Sequence, residues 1–234
     1  MMSQLRYSAC TIAMMFTMCV TALAQEESVK PGINDNFQDP SVKRYTMMFE
    51  GESRAIFKHR VEIVDALQLK HGMAVADIGA GTGFFSMMIA DHVGDGGVVY
   101  SVDIAENFIE HIAKRAKEEG LSNIHGVLCD PHSTKLDAES VDLIFVCDTY
   151  HHFEFPYDVL SSIHQALRPD GRLVIVDFER IKGVNTEWTL NHVRCGKGTV
   201  TDEVKDAGFD FVEEIEMMDD QYVIVFKKRA LPEE

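Results

Sequence analysis

The sequence predicts an α/β fold in which helices cover both faces of a doubly wound, mainly parallel sheet that ends in an antiparallel hairpin. Helix-like and strand-like hydrophobic periodicities alternate from about residue 53 onward. The strand-like segments are almost continuously apolar, as is typical of parallel strands that are buried on both faces. Near the end of the chain, two such segments follow each other across a connection too short for a parallel crossover, so they must pair as a hairpin.

The order of the elements follows from the same periodicity. Strands are predicted over residues 73–78, 98–103, 124–129, 141–147, 173–176, 209–217 and 221–226. Helices are predicted before the first strand and over residues 84–93, 106–119, 157–167 and 201–207. Gly120 is expected to end the helix over 106–119 as a C-cap, and residues 168–171 are expected to form a turn.

Length and composition restrict the class of protein. The chain has 234 residues, of which 46% are hydrophobic and 26% charged, so it can bury a full core and is not disordered. Its formal net charge is -16. Such an acidic chain has no basic stripe for a phosphate backbone, and a nucleic-acid partner is therefore not expected.

The first residues resemble a secretory signal. Residues 7–25 carry no charge, the centre of this run is apolar, and it closes with Ala22-Leu23-Ala24, a small-x-small cleavage pattern. We expect a signal peptide over residues 1–24, cut after Ala24, a leader over 25–52 and the main domain over 53–234. The mature protein would be exported, periplasmic or secreted. The alternative is an uncleaved N-terminal membrane anchor, and only then is a membrane partner expected.

A glycine cluster follows the first predicted strand. Gly79, Gly81 and Gly83 form the pattern G-x-G-x-G, which lets the backbone turn tightly and approach a ligand at the start of a helix. Dinucleotide-binding folds use G-x-G-x-x-G, and Phe84 occupies the sixth position here. The pattern therefore predicts a ligand site and counts against a nicotinamide or flavin dinucleotide.

Acidic residues end the next two predicted strands. Asp103 closes the second strand, where a carboxylate can accept both hydroxyls of a ribose, and Ile104 offers an apolar face to a purine. Asp130 closes the third strand. With the glycine cluster, these residues resemble the cofactor site of the class I S-adenosylmethionine-dependent methyltransferases, in particular small-molecule, type 11-like members. The resemblance covers about residues 53–228 and implies a seven-stranded Rossmann-like sheet, which this family closes with an antiparallel strand.

The resemblance implies a role for each of these positions. S-adenosyl-L-methionine would be the cofactor. Asp77, near the end of the first strand, and the glycine loop would hold its methionine part. Asp103 would bind the ribose, and Ile104 and Asp130 would frame the adenine.

Polar side chains also follow the fourth predicted strand, where the methyl group would emerge: Asp148, Tyr150, His151 and His152. Histidine has a pKa suited to a general base near neutral pH, so His151 and His152 are expected to be catalytic ahead of Asp148. The alternative is that these side chains only shape the pocket, because positioning alone can drive an in-line methyl transfer.

The segment between the fifth strand and the last helix is predicted to cover the acceptor. It contains the only tryptophan, Trp188, followed by His192, and a polar loop with an aromatic residue at the rim of a site is typical of a lid. The expected substrate contacts are Tyr45, Tyr150, Trp188 and His192, with Arg54 and His59 as further candidates near the N-terminus.

No metal site is expected. Several potential ligands could meet at the top of the sheet, but they lack the short spacing of metal-binding motifs. These residues are Asp148, His151, His152, Asp177, His192 and Cys195.

The sequence thus predicts an enzyme that transfers a methyl group from S-adenosyl-L-methionine to a small-molecule acceptor by in-line displacement. The first alternative is an exported binding protein that keeps the fold without catalysis. The second is an NAD-dependent oxidoreductase, which the glycine pattern disfavours.

Overall fold

The computed structural model describes residues 25–52 and 54–230. The expected signal peptide, residues 1–24 with its cleavage site after Ala24, lies outside the described residues. Within the part of the chain that the structure describes, no helix is both long enough and apolar enough to cross a membrane.

A seven-stranded sheet forms the centre of the domain. Its strands are β1 (Ala74–Ile78), β2 (Val98–Asp103), β3 (Ile124–Leu128), β4 (Val141–Cys147), β5 (Leu167–Phe178), β6 (Phe209–Glu214) and β7 (Gln221–Lys228). They lie in the order β3-β2-β1-β4-β5-β7-β6. Strands β1 to β5 pair in parallel, and β7 pairs antiparallel with both β5 and β6. The predicted doubly wound sheet with a terminal hairpin is confirmed, and its order reverses between β1 and β4, where such sheets bind ligands.

Helices cover both faces of this sheet. They are α1 (Val42–Phe49), α2 (Ala55–Lys58), α3 (Arg60–Ala66), α4 (Phe84–Val93), α5 (Glu106–Glu119), α6 (Pro156–Ala166), α7 (Glu187–His192) and α8 (Lys197–Asp206). Short 3-10 turns span Asp35–Phe37 and Tyr150–His152. Gly120 ends α5 with a φ of 75° and donates its backbone N–H to the carbonyls of the last turn, as predicted for a C-cap.

Two hydrophobic cores, one on each face, hold the layers together. All five residues of β1 are buried, and four of them are apolar, as is typical of a parallel strand covered on both faces. On one face, Val146 of β4 lies in the same core as Leu160 of α6. On the other face, Phe145 lies in the same core as Ile89 of α4. Each fully buried side chain of this size stabilises the fold by about 1.5–3 kcal/mol.

Strand β5 begins earlier than the sequence predicts. Leu167 already pairs with Val141, and pairing resumes where Arg172 lies opposite Leu143. The intervening residues bulge, and Asp170 adopts a φ of 66° there, a conformation that aspartate tolerates better than most residues. The predicted turn over 168–171 is therefore a bulge inside a longer strand.

The leader before residue 53 is ordered by contacts with the rest of the domain. Tyr45 of α1 meets Phe108 of α5 edge to face, with ring centroids 5.7 Å apart. Upstream, the Asn34 side chain donates to the backbone oxygen of His152 at 3.0 Å. Residues 45–49 form the end of an eight-residue helix, and the leader forms part of the wall at the carboxyl edge of the sheet.

Candidate functional site

The glycine loop between β1 and α4 has a backbone that requires glycine. Gly79, Gly81 and Gly83 have φ values of 72°, 54° and 77°, which L side chains rarely adopt. A Cβ atom on Gly79 would lie 2.2 Å from Cγ2 of Thr149, and one on Gly83 would lie 2.7 Å from Cγ1 of Ile112. The loop therefore lies closer to its neighbours than any side chain would allow.

Asp103, the last residue of β2, is bonded to this loop. Its Oδ2 accepts the backbone N–H of Gly81 at 2.8 Å, and its Oδ1 accepts the backbone N–H of Ala105 at 2.9 Å. Burial raises the pKa of the Asp103 carboxyl, and the backbone hydrogen bonds oppose that rise. Each carboxylate oxygen has a second lone pair, so Asp103 can still accept hydroxyl groups from a ligand.

Asp77 of β1 is a second buried carboxylate at the same edge. Ser86 of α4 donates its hydroxyl to Oδ2 of Asp77 at 2.7 Å, and Ser101 donates in turn to Ser86 at 2.8 Å. Burial raises the pKa of Asp77 to about 6, and the negative charge of Asp103 adds to the rise. A ligand cation beside these two acids would relieve their mutual repulsion.

A small cavity of about 80 Å³ lies beside the glycine loop. Its walls are Phe49, Arg54, Ile56, Asp77, Gly79, Ala80, Gly81, Thr82, Phe84, Phe85, Cys147, Asp148 and Thr149. Phe49 of α1 lies directly over the loop, because a Cβ on Gly81 would be only 3.1 Å from Cε2 of its ring. Pockets for drug-sized ligands start at roughly 300 Å³, so the end of α1 occupies part of the space that such a ligand would need.

Asp148, directly after β4, closes one wall of this cavity. It has a φ of 48°, and it accepts hydrogen bonds from the side chains of Arg54 and Gln221. Burial raises the pKa of Asp148 to about 7, although the Arg54 guanidinium acts in the opposite direction. This carboxyl can therefore exchange a proton near neutral pH.

Three histidines meet next to Asp148. Nδ1 of the buried His151 lies 2.7 Å from Oδ1 of Asp177, at the end of β5. The ring of His152 is 4.3 Å from that of His151, centroid to centroid, and the ring of His192 is 5.1 Å from both. Burial is the main cause that lowers the pKa of His152 to about 2 and that of His192 to about 4. Both rings are therefore uncharged at neutral pH.

Some of the expected site residues lie elsewhere. The hydroxyl of the fully buried Tyr150 donates to Glu203 at 2.8 Å, so this side chain packs in the core. Tyr45 is buried among aromatic rings of the leader and α5. His59 lies near the surface, 4.0 Å from Glu62. Trp188 is 60% exposed and stacks on His192, with ring centroids 4.6 Å apart. Of the four expected substrate contacts, only Trp188 and His192 therefore lie together at the rim.

The expected adenine contacts flank Asp103. Ile104 is half-buried and directly follows it. Asp130 lies just beyond β3, where the backbone N–H of Cys129 donates to the Asp103 carbonyl at 2.9 Å. The Asp130 carboxylate forms an ion pair with Lys135 at 2.6 Å, which lowers the pKa of this acid.

The chain matches the profile of a known protein family. The profile of the family described as "Methyltransferase domain" matches residues 69–219. This range contains the glycine loop, both buried acids and the histidine cluster. The chain belongs to the methyltransferase domain family. The predicted family and fold class are confirmed, and S-adenosyl-L-methionine is the methyl donor that this membership implies.

Individual relatives with this domain match part of the chain. The chain is 29% identical over 134 residues to nocamycin O-methyltransferase from Saccharothrix syringae, and the match covers 57% of this chain and 48% of that protein. The chain spans about half the length of the curated relatives it matches.

Solved structures agree with the fold. A SAM-dependent methyltransferase from Aquifex aeolicus superposes with a TM-score of 0.72 at 22% identity, over 81% of this chain and 99% of that one. The [4+2]-cyclase SpnF superposes with a TM-score of 0.66 at 14% identity, over 74% of this chain and 81% of that one. At these identities the likeness shows the shared fold alone, and the presence of a cyclase among these structures illustrates that the fold does not fix the reaction.

The contacts of three residues around the site of the methyltransferase domain could not be predicted from the sequence. Phe49 covers the glycine loop, Gln221 donates to Asp148, and Asn34 bonds the ring of His152. The Asn34–His152 contact spans 118 residues of chain. No local periodicity or motif reports such contacts, so only the folded structure could show them.

Proposed function

We propose that this protein transfers a methyl group from S-adenosyl-L-methionine to a small-molecule acceptor by in-line displacement. The observation that carries the proposal is the bond between Asp103 and Gly81, which joins an acid at the end of β2 to the glycine loop after β1. The glycine loop and a second acid, Asp77, line one cavity, and the bond holds the Asp103 carboxylate against that loop, at the carboxyl edge of the sheet where such folds bind ligands.

The donor set fits this cofactor. When bound, S-adenosyl-L-methionine supplies an electrophilic methyl group on a sulfonium. Asp77 would hold the ammonium of its methionine part, because a buried carboxylate with a raised pKa gains most from a nearby cation. Asp103 would accept the ribose hydroxyls, and Ile104 and Asp130 would frame the adenine.

Helix α1 must move for the cofactor to enter. The cavity of about 80 Å³ is smaller than the roughly 300 Å³ at which pockets for such ligands begin. Phe49 and Arg54, which precede the sheet in the chain, line it. Displacement of Phe49 would open the space over Gly81, and its return would exclude water from the bound cofactor.

The acceptor would bind on the histidine side of Asp148. Trp188 and His192 at the rim offer a flat apolar surface, and His151 and His152 lie below them. The likeness to nocamycin O-methyltransferase supports a small organic acceptor. Tyr45 and Tyr150 would support this wall from the core without contacting the acceptor.

Among the three expected catalytic residues, Asp148 is the one that we propose as the proton acceptor. It lines the cavity together with the glycine loop. Arg54 and Gln221 fix its position, and its pKa of about 7 suits a base at neutral pH. His151 and His152 would then orient the acceptor. An Asp148→Asn variant should lower kcat and leave donor affinity unchanged, whereas loss of both would point to a structural role.

The experiment that tests methyl transfer uses the donor labelled in its methyl group. The protein is incubated with phenolic, enolic and thiol acceptors, and both labelled product and demethylated donor are measured. We expect the two to form in equal amounts. Tight donor binding with no labelled product from any of these acceptors would favour the alternative of a non-catalytic binding protein.

We also propose that the protein is exported, with residues 1–24 as a cleaved signal peptide. The uncharged run and the Ala22-Leu23-Ala24 pattern support this proposal. N-terminal sequencing of the protein recovered from a bacterial host should find Gln25 as the first residue. An intact N-terminus in the membrane fraction would instead indicate an anchor.

A further inference from the structure

The three histidines beside Asp148 bring their ring nitrogens close together. One nitrogen from each of His151, His152 and His192 lies within 4.8 Å of the other two. His151 and His152 lie in the 3-10 turn after β4, and His192 ends α7. Two separate elements at the carboxyl edge of the sheet therefore build one cluster of imidazoles.

Hydrogen bonds indicate which ring nitrogen carries the hydrogen in two of these histidines. Nδ1 of His151 lies 2.7 Å from the Asp177 carboxylate, and Nδ1 of His152 lies 3.1 Å from Oδ1 of Asn34. Both oxygens are acceptors, so each Nδ1 carries a hydrogen, and in the neutral form of each ring Nε2 presents a lone pair. Among the described residues, neither Nε2 has a hydrogen-bond partner. An outward N–H held by a carboxylate or amide oxygen is the arrangement that orients histidine ligands of metal ions.

The third histidine is held by its backbone and by stacking. Lys30 of the leader donates its ammonium to the backbone oxygens of Asn191 and His192 at 2.7 and 2.6 Å. Trp188 stacks on the His192 ring with an interplanar angle of 18°. These contacts keep the end of α7 close to the other two histidines.

We propose that His151, His152 and His192 form a binding site for a divalent transition-metal ion, for which Zn²⁺ is the probe. Imidazole nitrogen suits this class of ion, and three histidines leave a fourth tetrahedral position open. With Zn–N bonds of about 2.0–2.1 Å, ligand nitrogens lie about 3.3 Å apart. Small ring rotations would bring the three nitrogens from within 4.8 Å of one another to that spacing.

The open position would take an oxygen or sulfur atom of a small molecule. That the small molecule is the methyl acceptor rests on the proposed methyl transfer. The binding of the metal ion to the three histidines does not rest on it. The two can therefore fail separately: metal titration tests the site, and donor titration tests the methyltransferase function.

Calorimetric titration of the untagged full-length protein with Zn²⁺ tests the site, with Mg²⁺ as a hard-ion comparison. We expect one equivalent of Zn²⁺ to bind and Mg²⁺ to give no signal. Asn34 positions the ring of His152, and Asn34→Ala removes the oxygen that Nδ1 of this ring is bonded to. This variant should weaken Zn²⁺ binding by roughly 10- to 100-fold, and His192→Ala should weaken it further. Co²⁺ bound to the wild-type protein should give the visible absorption of a four- or five-coordinate ion.

His132→Ala is the matched control, because His132 lies outside the cluster and is half exposed. This variant should bind Zn²⁺ like the wild type, and circular dichroism should show that every variant is folded. Equal affinity of the wild type, Asn34→Ala and His192→Ala would overturn the proposal, as would a loss of binding in His132→Ala, since either result assigns the ion to surface histidines.

Discussion

The carboxylate of Asp103 accepts the backbone N–H of Gly81 at 2.8 Å, and so ties the end of β2 to the glycine loop after β1. The same carboxylate accepts the N–H of Ala105 at 2.9 Å, next to the start of α5. A single acid therefore orders the loop and a helix start while it keeps lone pairs for a ligand. We propose that the cofactor site of the methyltransferase domain is organised around this residue.

Replacement of Gly81 by alanine should impair the loop and the site together. At a φ of 54°, a side chain costs about 1–2 kcal/mol of folding free energy, and the new Cβ would lie 3.1 Å from the Phe49 ring. Gly120→Ala is the matched control, because Gly120 has a φ of 75° and open space around it. Thermal unfolding should show a loss for both variants, at least as large in Gly81→Ala as in Gly120→Ala, while only Gly81→Ala should lose donor affinity. Equal donor affinity in the two variants would contradict the placement of the cofactor.

Removal of the Phe49 ring should speed entry of the donor. Phe49 lies over Gly81 and narrows the cavity, so Phe49→Ala raises the population of the open form and should increase the association rate several-fold. Stopped-flow mixing with S-adenosyl-L-methionine measures this rate. Met47→Ala is the control, since Met47 lies on the same helix and is 73% exposed. An unchanged rate in Phe49→Ala would show that α1 does not limit entry.

The stability of the unliganded protein should fall as pH rises through the titration of Asp77. Its folded-state pKa of about 6 exceeds the roughly 3.9 of an unfolded chain. Between these values the folded form binds more protons than the unfolded form, so the free energy of unfolding decreases with pH, by up to about 3 kcal/mol. Asp103 faces Asp77 and adds to the rise in its pKa, while Ser86 donates to it and opposes that rise.

Asp77→Asn isolates this effect because the amide oxygen can still accept the Ser86 hydroxyl. Urea unfolding at about pH 5 and about pH 7.5 should show a smaller pH dependence in the variant than in the wild type. Asp137→Asn, at an exposed position, should behave like the wild type. The same pH dependence in Asp77→Asn and the wild type would show that Asp77 does not titrate in this range.

Tyr150→Phe should lower stability without affecting the site. The Tyr150 hydroxyl donates to Glu203, which is also bound by Arg194 at 2.6 Å. Loss of a buried hydrogen bond to a charged group costs about 1–3 kcal/mol. Chemical unfolding should detect this cost, and donor binding should equal that of the wild type. A change in the KM for the acceptor with unchanged stability would instead indicate that Tyr150 contacts the acceptor.

Local patterns predicted the parts of the fold that depend on local forces. The bounds of α4, α5, β2 and β4 agree with the prediction, because each has a clear hydrophobic period and a glycine or acid at its end. Strand β5 was predicted too short, since pairing of Leu167 with Val141 is decided by a neighbouring strand. The glycine loop and Asp103 could be singled out in the sequence because they follow consecutive strands at a recognisable spacing.

The acceptor side was harder to predict because its contacts are remote in sequence. The Asp177–His151 pair joins the ends of β4 and β5, and His192 reaches the same place only through the position of α7. The polar leader gave no sign that Lys30 and Asn34 would hold two of these histidines. The sequence expectation of no metal site rested on ligand spacing alone, and the fold brings the rings together without such spacing.

Calorimetric titration of the purified protein with S-adenosyl-L-methionine and with its demethylated product tests the central claim most directly. We predict saturable binding of both, weakened by about 10- to 100-fold in Asp103→Ala through the loss of hydrogen bonds to a charged group, and unchanged in the exposed control Asp137→Ala. A folded wild-type protein that binds neither ligand would contradict a cofactor site at Asp103 and the glycine loop.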